Sequence, residues 1–102
     1  MEENIELGGS IKLSGFGGLE GGEMVIVKKI VGNHVKRISE LKESIKEVKI
    51  NLKEVHLTEA SKKYELHVSL IAEKQYNSEV TDRNLYFGID KVMKKIIAMI
   101  DN

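Results

Sequence analysis

A chain of 102 residues is long enough for one buried core and too short for two, and its sixteen basic and sixteen acidic side chains cancel. It has no cysteine, which excludes a disulfide framework and thiolate chemistry, and no window approaches the ~18 unbroken apolar residues of a membrane span. The opening Met1-Glu2-Glu3-Asn4 is acidic and lacks the basic-then-apolar pattern of a secretory signal, so a cytoplasmic protein with no membrane contact is expected.

Neutrality hides an uneven distribution. Between Lys28 and Lys53 stand eight basic residues, Lys28, Lys29, Lys36, Arg37, Lys42, Lys46, Lys49 and Lys53, against only Glu40, Glu43 and Glu47. A chain that is neutral overall but basic on particular elements can bind a polyanion locally.

Residues 1–9 read as a flexible leader, because Gly8-Gly9 interrupts the strand that Ile5 and Leu7 begin. Residues 10–102 read as a single domain. Ile11 and Leu13 alternate with Lys12 and Ser14, which predicts a strand from about Ser10 to Phe16. The stretch from Gly15 to Gly22 is too rich in glycine for an element and reads as a connection.

From Glu23 to about Lys42 the period is helical. Met24, Val27, Val31, Val35 and Ile38 share one face, His34 and Leu41 its margin, and Lys29, Asn33, Lys36, Arg37 and Glu40 the opposite face. Val48, Ile50 and Leu52 then alternate with lysine and asparagine as a second strand. The apolar parity slips to Val55 and Leu57, which predicts a bulge near Lys53-Glu54 or an early strand end.

Thr58 to Lys62 reads as a turn. Tyr64, Leu66, Val68 and Leu70 mark a third strand whose other face carries Glu65, His67 and Ser69, and Tyr76 to Val80 marks a fourth. Thr81-Asp82 is a helix N-cap signal. In the last helix Leu85, Ile89, Val92, Met93, Ile96 and Ile100 line a buried face, while Phe87, Lys91, Lys94 and Ala98 fall outside, with Lys95 at the edge.

The order is therefore β-α-β-β-β-α. It predicts an α+β fold, a four-stranded mixed sheet with both helices on one face. Between helices and sheet, Val27, Val31, Val35, Ile38, Ile89, Val92 and Ile96 are expected to be buried.

The glycine-rich loop sits where a dinucleotide-binding loop would. It reads G-x-G-x-x-E rather than G-x-G-x-x-G, and Glu20 and Glu23 would repel a pyrophosphate. His34, His56 and His67 lie on separate elements without metal-ligand spacing, and no nucleophile–histidine–acid set is identifiable, so neither enzyme activity, a metal nor any cofactor is expected.

What remains is cationic. Lys29, Lys36 and Arg37 project from the first helix and Lys91, Lys94 and Lys95 from the second. With the helices side by side they would form one surface for phosphate, with Phe87 placed to stack on a base. The plainer alternative is an ordinary lysine-rich surface with one exposed aromatic.

The segment Thr81-Asp82-Arg83-Asn84-Leu85-Tyr86-Phe87-Gly88-Ile89-Asp90-Lys91-Val92 resembles the acidic/Asp-Met/Leu-Tyr-Ala-Ala-Ile-Asp segment that opens the second helix in the ribosome hibernation-promoting factor (ribosome-associated inhibitor) family. Leu85, Tyr86, Ile89 and Asp90 match position by position, and Phe87 and Gly88 replace two small residues. Ile11-Lys12-Leu13-Ser14-Gly15 through Leu19-Glu20 is similar to that family's first strand and turn. Gly21-Gly22 stands where the family has a proline. The element order fits over roughly residues 10–101, without the C-terminal dimerisation domain of the long members.

That resemblance implies a short-form, divergent hibernation factor that binds the small ribosomal subunit near the decoding centre and inhibits translation under stress. Ribosomal RNA contacts would then fall to Lys29, Lys36, Arg37, Arg83, Lys91, Lys94 and Lys95, with stacking by Phe87 and no DNA partner. The competing expectation is a protein-interaction module that uses the same fold without RNA.

Overall fold

The computed structural model describes residues 4–6, 11–42 and 44–101. The elements are β1 (Asn4–Glu6), β2 (Ile11–Ser14), α1 (Gly21–Leu41), β3 (Glu47–Thr58), β4 (Ser61–Ile71), β5 (Gln75–Asp82) and α2 (Leu85–Ile100). The α+β architecture and the β-α-β-β-β-α order are as the sequence predicts, with one strand more. Asn4–Glu6, read as part of the leader, pair antiparallel with β2 and add a short edge strand; residues 1–3 and 7–9 of that leader lie outside the described residues.

The sheet runs β1-β2-β3-β4-β5. β2 and β3 are parallel, bridged by α1, and β3, β4 and β5 form an antiparallel meander. One sheet face is apolar: Ile11, Leu13, Val48, Ile50, Leu52, Leu66, Val68 and Leu70 are buried there beneath both helices. The other face is polar, with Lys49, Asn51, Lys53 and His67 exposed and Glu65 half-buried.

Of the helix residues expected in the core, Val27, Val31, Ile38, Ile89, Val92 and Ile96 are fully buried, whereas Val35 is half-buried at the margin of α1. Among the described residues no buried side-chain polar atom lacks a partner. The buried Ser78 donates its hydroxyl to the Val92 carbonyl of α2 at 3.0 Å, which fastens that helix to β5.

β2 ends at Gly15, whose φ of +82° turns the chain towards α1, and Phe16 is buried just beyond it. α1 then starts two residues earlier than the periodicity suggests. The Glu23 carboxylate accepts the backbone N–H of Glu20 at 3.0 Å, a capping-box contact that fixes the start at Gly21. The same contact occupies the Glu20 N–H and sets a carboxylate at the helix end, where a phosphate would need donors.

Two local expectations are corrected. No bulge falls at Lys53-Glu54: the β3–β4 ladder continues without a break from Glu47↔Ile71 to His56↔Lys62, and its irregularity lies between His56 and Thr58. Val55 and Leu57 change face because the hairpin has left the core. β2 pairs no further than Asn51 and β5 no further than Tyr64, so residues 55–63 project as a two-stranded arm and leave Leu57 46% exposed. Thr81-Asp82 also do not cap α2. They close the β5 ladder, and the N-cap is Asn84, whose side chain accepts the N–H of Phe87 at 2.9 Å.

Candidate nucleic-acid interface

Both helices run antiparallel to β3 and therefore lie parallel to one another across the apolar face. Their facing sides meet at a pair the sequence conceals. His34 Nε2 lies 2.7 Å from Asp90 Oδ1, and Asp90 Oδ2 lies 2.8 Å from Lys94 Nζ. An ionised carboxylate can only accept, so both cation-type groups donate to Asp90. Lys94 first and then His34 hold the Asp90 carboxyl below its ordinary value.

Asp90→Asn is expected to cost about 1 kcal/mol, less than a buried charge-assisted hydrogen bond because water reaches this carboxylate. For a chain of this size that is a melting temperature about 4–8 °C lower. A carboxyl whose folded pKa is depressed stabilises above its unfolded pKa and loses that contribution as pH falls through the folded value. The native protein should therefore lose stability as pH drops below the ordinary aspartate value of 3.8, and Asp90→Asn should lose less. Calorimetric melts across that range check both statements; equal acid sensitivity in the two proteins would refute the assignment.

The predicted phosphate-binding residues fall into two groups of different electrostatic character. On α1, Lys29, Lys36 and Arg37 are exposed, as is Lys28. Lys28, Lys29 and Lys36 have no ion pair among the described residues, and Arg37 reaches Glu40 only at 4.0 Å. Lys29 and Lys36, seven positions apart, share the side of α1 directly away from the sheet.

On α2 every lysine has a partner. Lys91 Nζ donates to Asp82 Oδ2 at 2.7 Å, Lys94 to Asp90, and Lys95 Nζ to the backbone carbonyl of Glu79 at 3.0 Å. Lys91, with the backbone N–H of Asn84, holds the Asp82 carboxyl below its ordinary value. All three lysines also border β5. Together with Glu79, Val80, Thr81 and Ala98 they line a groove of about 590 Å³ along β5. Arg83 is exposed between β5 and α2 and makes no ion pair among the described residues, and Phe87 is 64% exposed on α2.

Helical spacing accounts for the exposure of these charged residues on both helices, but not for the compensation on α2. Asp90 to Lys94 is a legible i, i+4 pair. Asp82 to Lys91 and His34 to Asp90 are joined only by the tertiary fold. The polar sheet face suits a polyanion less well. Its hollow brings Lys53 and His67 beside Glu65 and Glu79, and Lys12 is paired with Glu47 at 3.0 Å. Among the described residues no group of histidine, aspartate and glutamate could hold a metal ion. No helix is long and apolar enough to cross a membrane.

No protein-family model matches the chain, and no curated protein sequence matches it. Among solved structures, the fold is similar to that of the crystal structure of the Thermus thermophilus Protein Y N-terminal domain. The superposition has a TM-score of 0.51 at 14% sequence identity and covers 81% of this chain and 83% of that one. At that identity the two share an architecture, and the chain is an α+β domain with the fold of the Protein Y N-terminal domain.

Proposed function

We propose that this protein is a non-catalytic, ribosome-associated hibernation factor whose helical face contacts ribosomal RNA on the small subunit and thereby inhibits translation. The observation that carries the reading is the outer side of α1, where Lys28, Lys29 and Lys36 stand exposed without a carboxylate partner among the described residues. Uncompensated lysines on a rigid helix suit phosphate, because each contact releases condensed counterions without demanding a base sequence. The fold supports the same reading. Protein Y belongs to the family that the Thr81–Val92 segment resembles, and the similarity covers 81% of this chain.

Within this reading Lys29, Lys36 and Arg37 supply the stronger half of the interface. Lys94 contributes after leaving Asp90, since an exposed ion pair is worth about 0–1 kcal/mol, and Lys91 and Lys95 contribute from their exposed positions beside Asp82 and the Glu79 carbonyl. Arg83 extends the site at the start of α2. The site of action is the cytoplasm, where ribosomes are.

The test is co-sedimentation with purified small ribosomal subunits across a salt series. Affinity should fall linearly on a log–log plot, with a slope of roughly 0.7–0.9 per phosphate contact. Binding that is flat in salt would refute an RNA-phosphate interface.

A second reading rests on the exposed apolar side chains of both helices, Val25 at 60%, Ile26 at 43% and Phe87 at 64%. These suit a protein-interaction module. That reading requires salt-insensitive binding and a large loss on Phe87→Ala.

A further inference from the structure

The meander ends in β5, which pairs with β4 and, among the described residues, with no other strand. The direction of its free backbone groups is fixed by one contact. Lys95 reaches over the edge and donates to the Glu79 carbonyl at 3.0 Å, so that carbonyl points away from β4. In an antiparallel ladder the N–H and C=O of one residue point to the same side and alternate along the strand. Asn77, Glu79 and Thr81 therefore present their backbone groups to the open edge. Lys95 occupies one of them, as lysines do on edges protected against pairing.

Above this edge the groove beside Val80 and Ala98 carries Lys91, Lys94 and Lys95. We propose that the edge of β5 takes up an extended acidic segment of a partner protein as a sixth strand. Backbone groups of the incoming strand would meet those of Asn77, Glu79 and Thr81, and one of its N–H groups would take over the Glu79 carbonyl from Lys95. The released ammonium then lies beside the new strand. Side chains of an added strand alternate between the two sheet faces. Those on the helix side lie under the three lysines and favour carboxylates. Those on the open side lie beside Glu79 and Thr81 and favour neutral polar groups. The partner motif is therefore acidic at every second position.

Charge complementarity selects this occupant over a second copy of the chain. Pairing β5 with its own twin about a two-fold axis would set two rows of the same three lysines against each other. Lys94 can turn to a new carboxylate cheaply, since its pair with Asp90 is exposed, and Lys91, itself exposed, can meet one while keeping Asp82.

The inference uses the α2 lysines but does not rest on ribosome binding. It is tested on the full chain with a short capped peptide that alternates glutamate and threonine, titrated at low salt and followed by backbone amide NMR shifts. The expected result is saturable binding with a dissociation constant on the order of 100 μM. The largest shifts should fall on the amides of Asn77, Glu79 and Thr81. Methylating alternate peptide nitrogens, which blocks strand pairing and keeps the charge, should weaken binding at least tenfold. Replacing glutamate by lysine in the peptide should abolish it. Reversing Lys29, Lys36 and Arg37 together should leave it unchanged, so ribosome binding and strand addition fail separately. Equal affinity of the methylated peptide would overturn the proposal. So would loss of peptide binding in the α1 variant, or a short single-stranded RNA that moves the same three amides as strongly.

Discussion

Gly15→Ala is expected to lower the melting temperature by about 15–30 °C, a loss of about 4 kcal/mol for a chain of this size. Two costs combine. At φ +82° the residue occupies the left-handed region, which costs an alanine roughly 1–2 kcal/mol before any contact is counted. The added methyl would also lie 2.1 Å from the Leu52 carbonyl oxygen and 3.2 Å from its carbonyl carbon. That obstacle is backbone, held in the middle of β3 by the ladder to Leu66, and Leu52 itself is buried in the core. The strand cannot retreat without disturbing the register beneath both helices. Because the whole domain is stabilised by only about 5–15 kcal/mol, this single methyl removes a large part of the total. Gly32→Ala is the internal comparison. Gly32 is exposed on α1, and an added Cβ there meets nothing within 4 Å, so the exchange should stabilise the helix by up to about 1 kcal/mol. Thermal melts of the two variants should move in opposite directions. A Gly15→Ala melt within a few degrees of the parent would show that β2 and β3 do not approach as closely as described.

Strand and helix order were legible because burial is periodic. Ile11/Leu13, Val48/Ile50/Leu52 and Tyr64/Leu66/Val68/Leu70 alternate where one sheet face meets helices, and Val27, Val31 and Ile38 recur where a helix faces the sheet. Where no core imposes a period, the pattern misleads. Val55 and Leu57 switch face in the projecting arm, which from sequence looks like a bulge near Lys53-Glu54; in the structure the ladder runs on to His56↔Lys62, is irregular only beyond it, and leaves Leu57 exposed. β1 is three residues long, and Gly8-Gly9 follow the alternation that Ile5 and Leu7 begin, so from sequence it reads as a leader. The N-cap was displaced from Asp82 to Asn84 because several short polar side chains stand in a row, and only the length of the β4–β5 ladder decides among them. The charged surface was legible to the extent that helical spacing sets it. Its compensation was not, because Asp82 comes from the end of β5 and the Glu79 carbonyl from the middle of that strand.

That difference between the two helices leads to the largest functional effect. Reversal of Lys29, Lys36 and Arg37 together to glutamate is expected to reduce affinity for the small ribosomal subunit by on the order of a thousandfold, with each single reversal costing roughly tenfold. The same triple change at Lys91, Lys94 and Lys95 should cost less, because those lysines now neutralise Asp82 and Asp90 and spend part of their charge within the protein. All three α1 positions are exposed and point away from the core, and Lys29 and Lys36 hold no ion pair among the described residues. The fold should therefore survive, which circular dichroism and an unchanged cooperative melt would confirm. Each α1 reversal should also flatten the salt dependence by roughly one contact, whereas Phe87→Ala should leave the slope alone. Triple-reversed protein that still co-sediments with small subunits at the parent's affinity would end the RNA-phosphate reading and leave the apolar residues Val25, Ile26 and Phe87 as the binding surface.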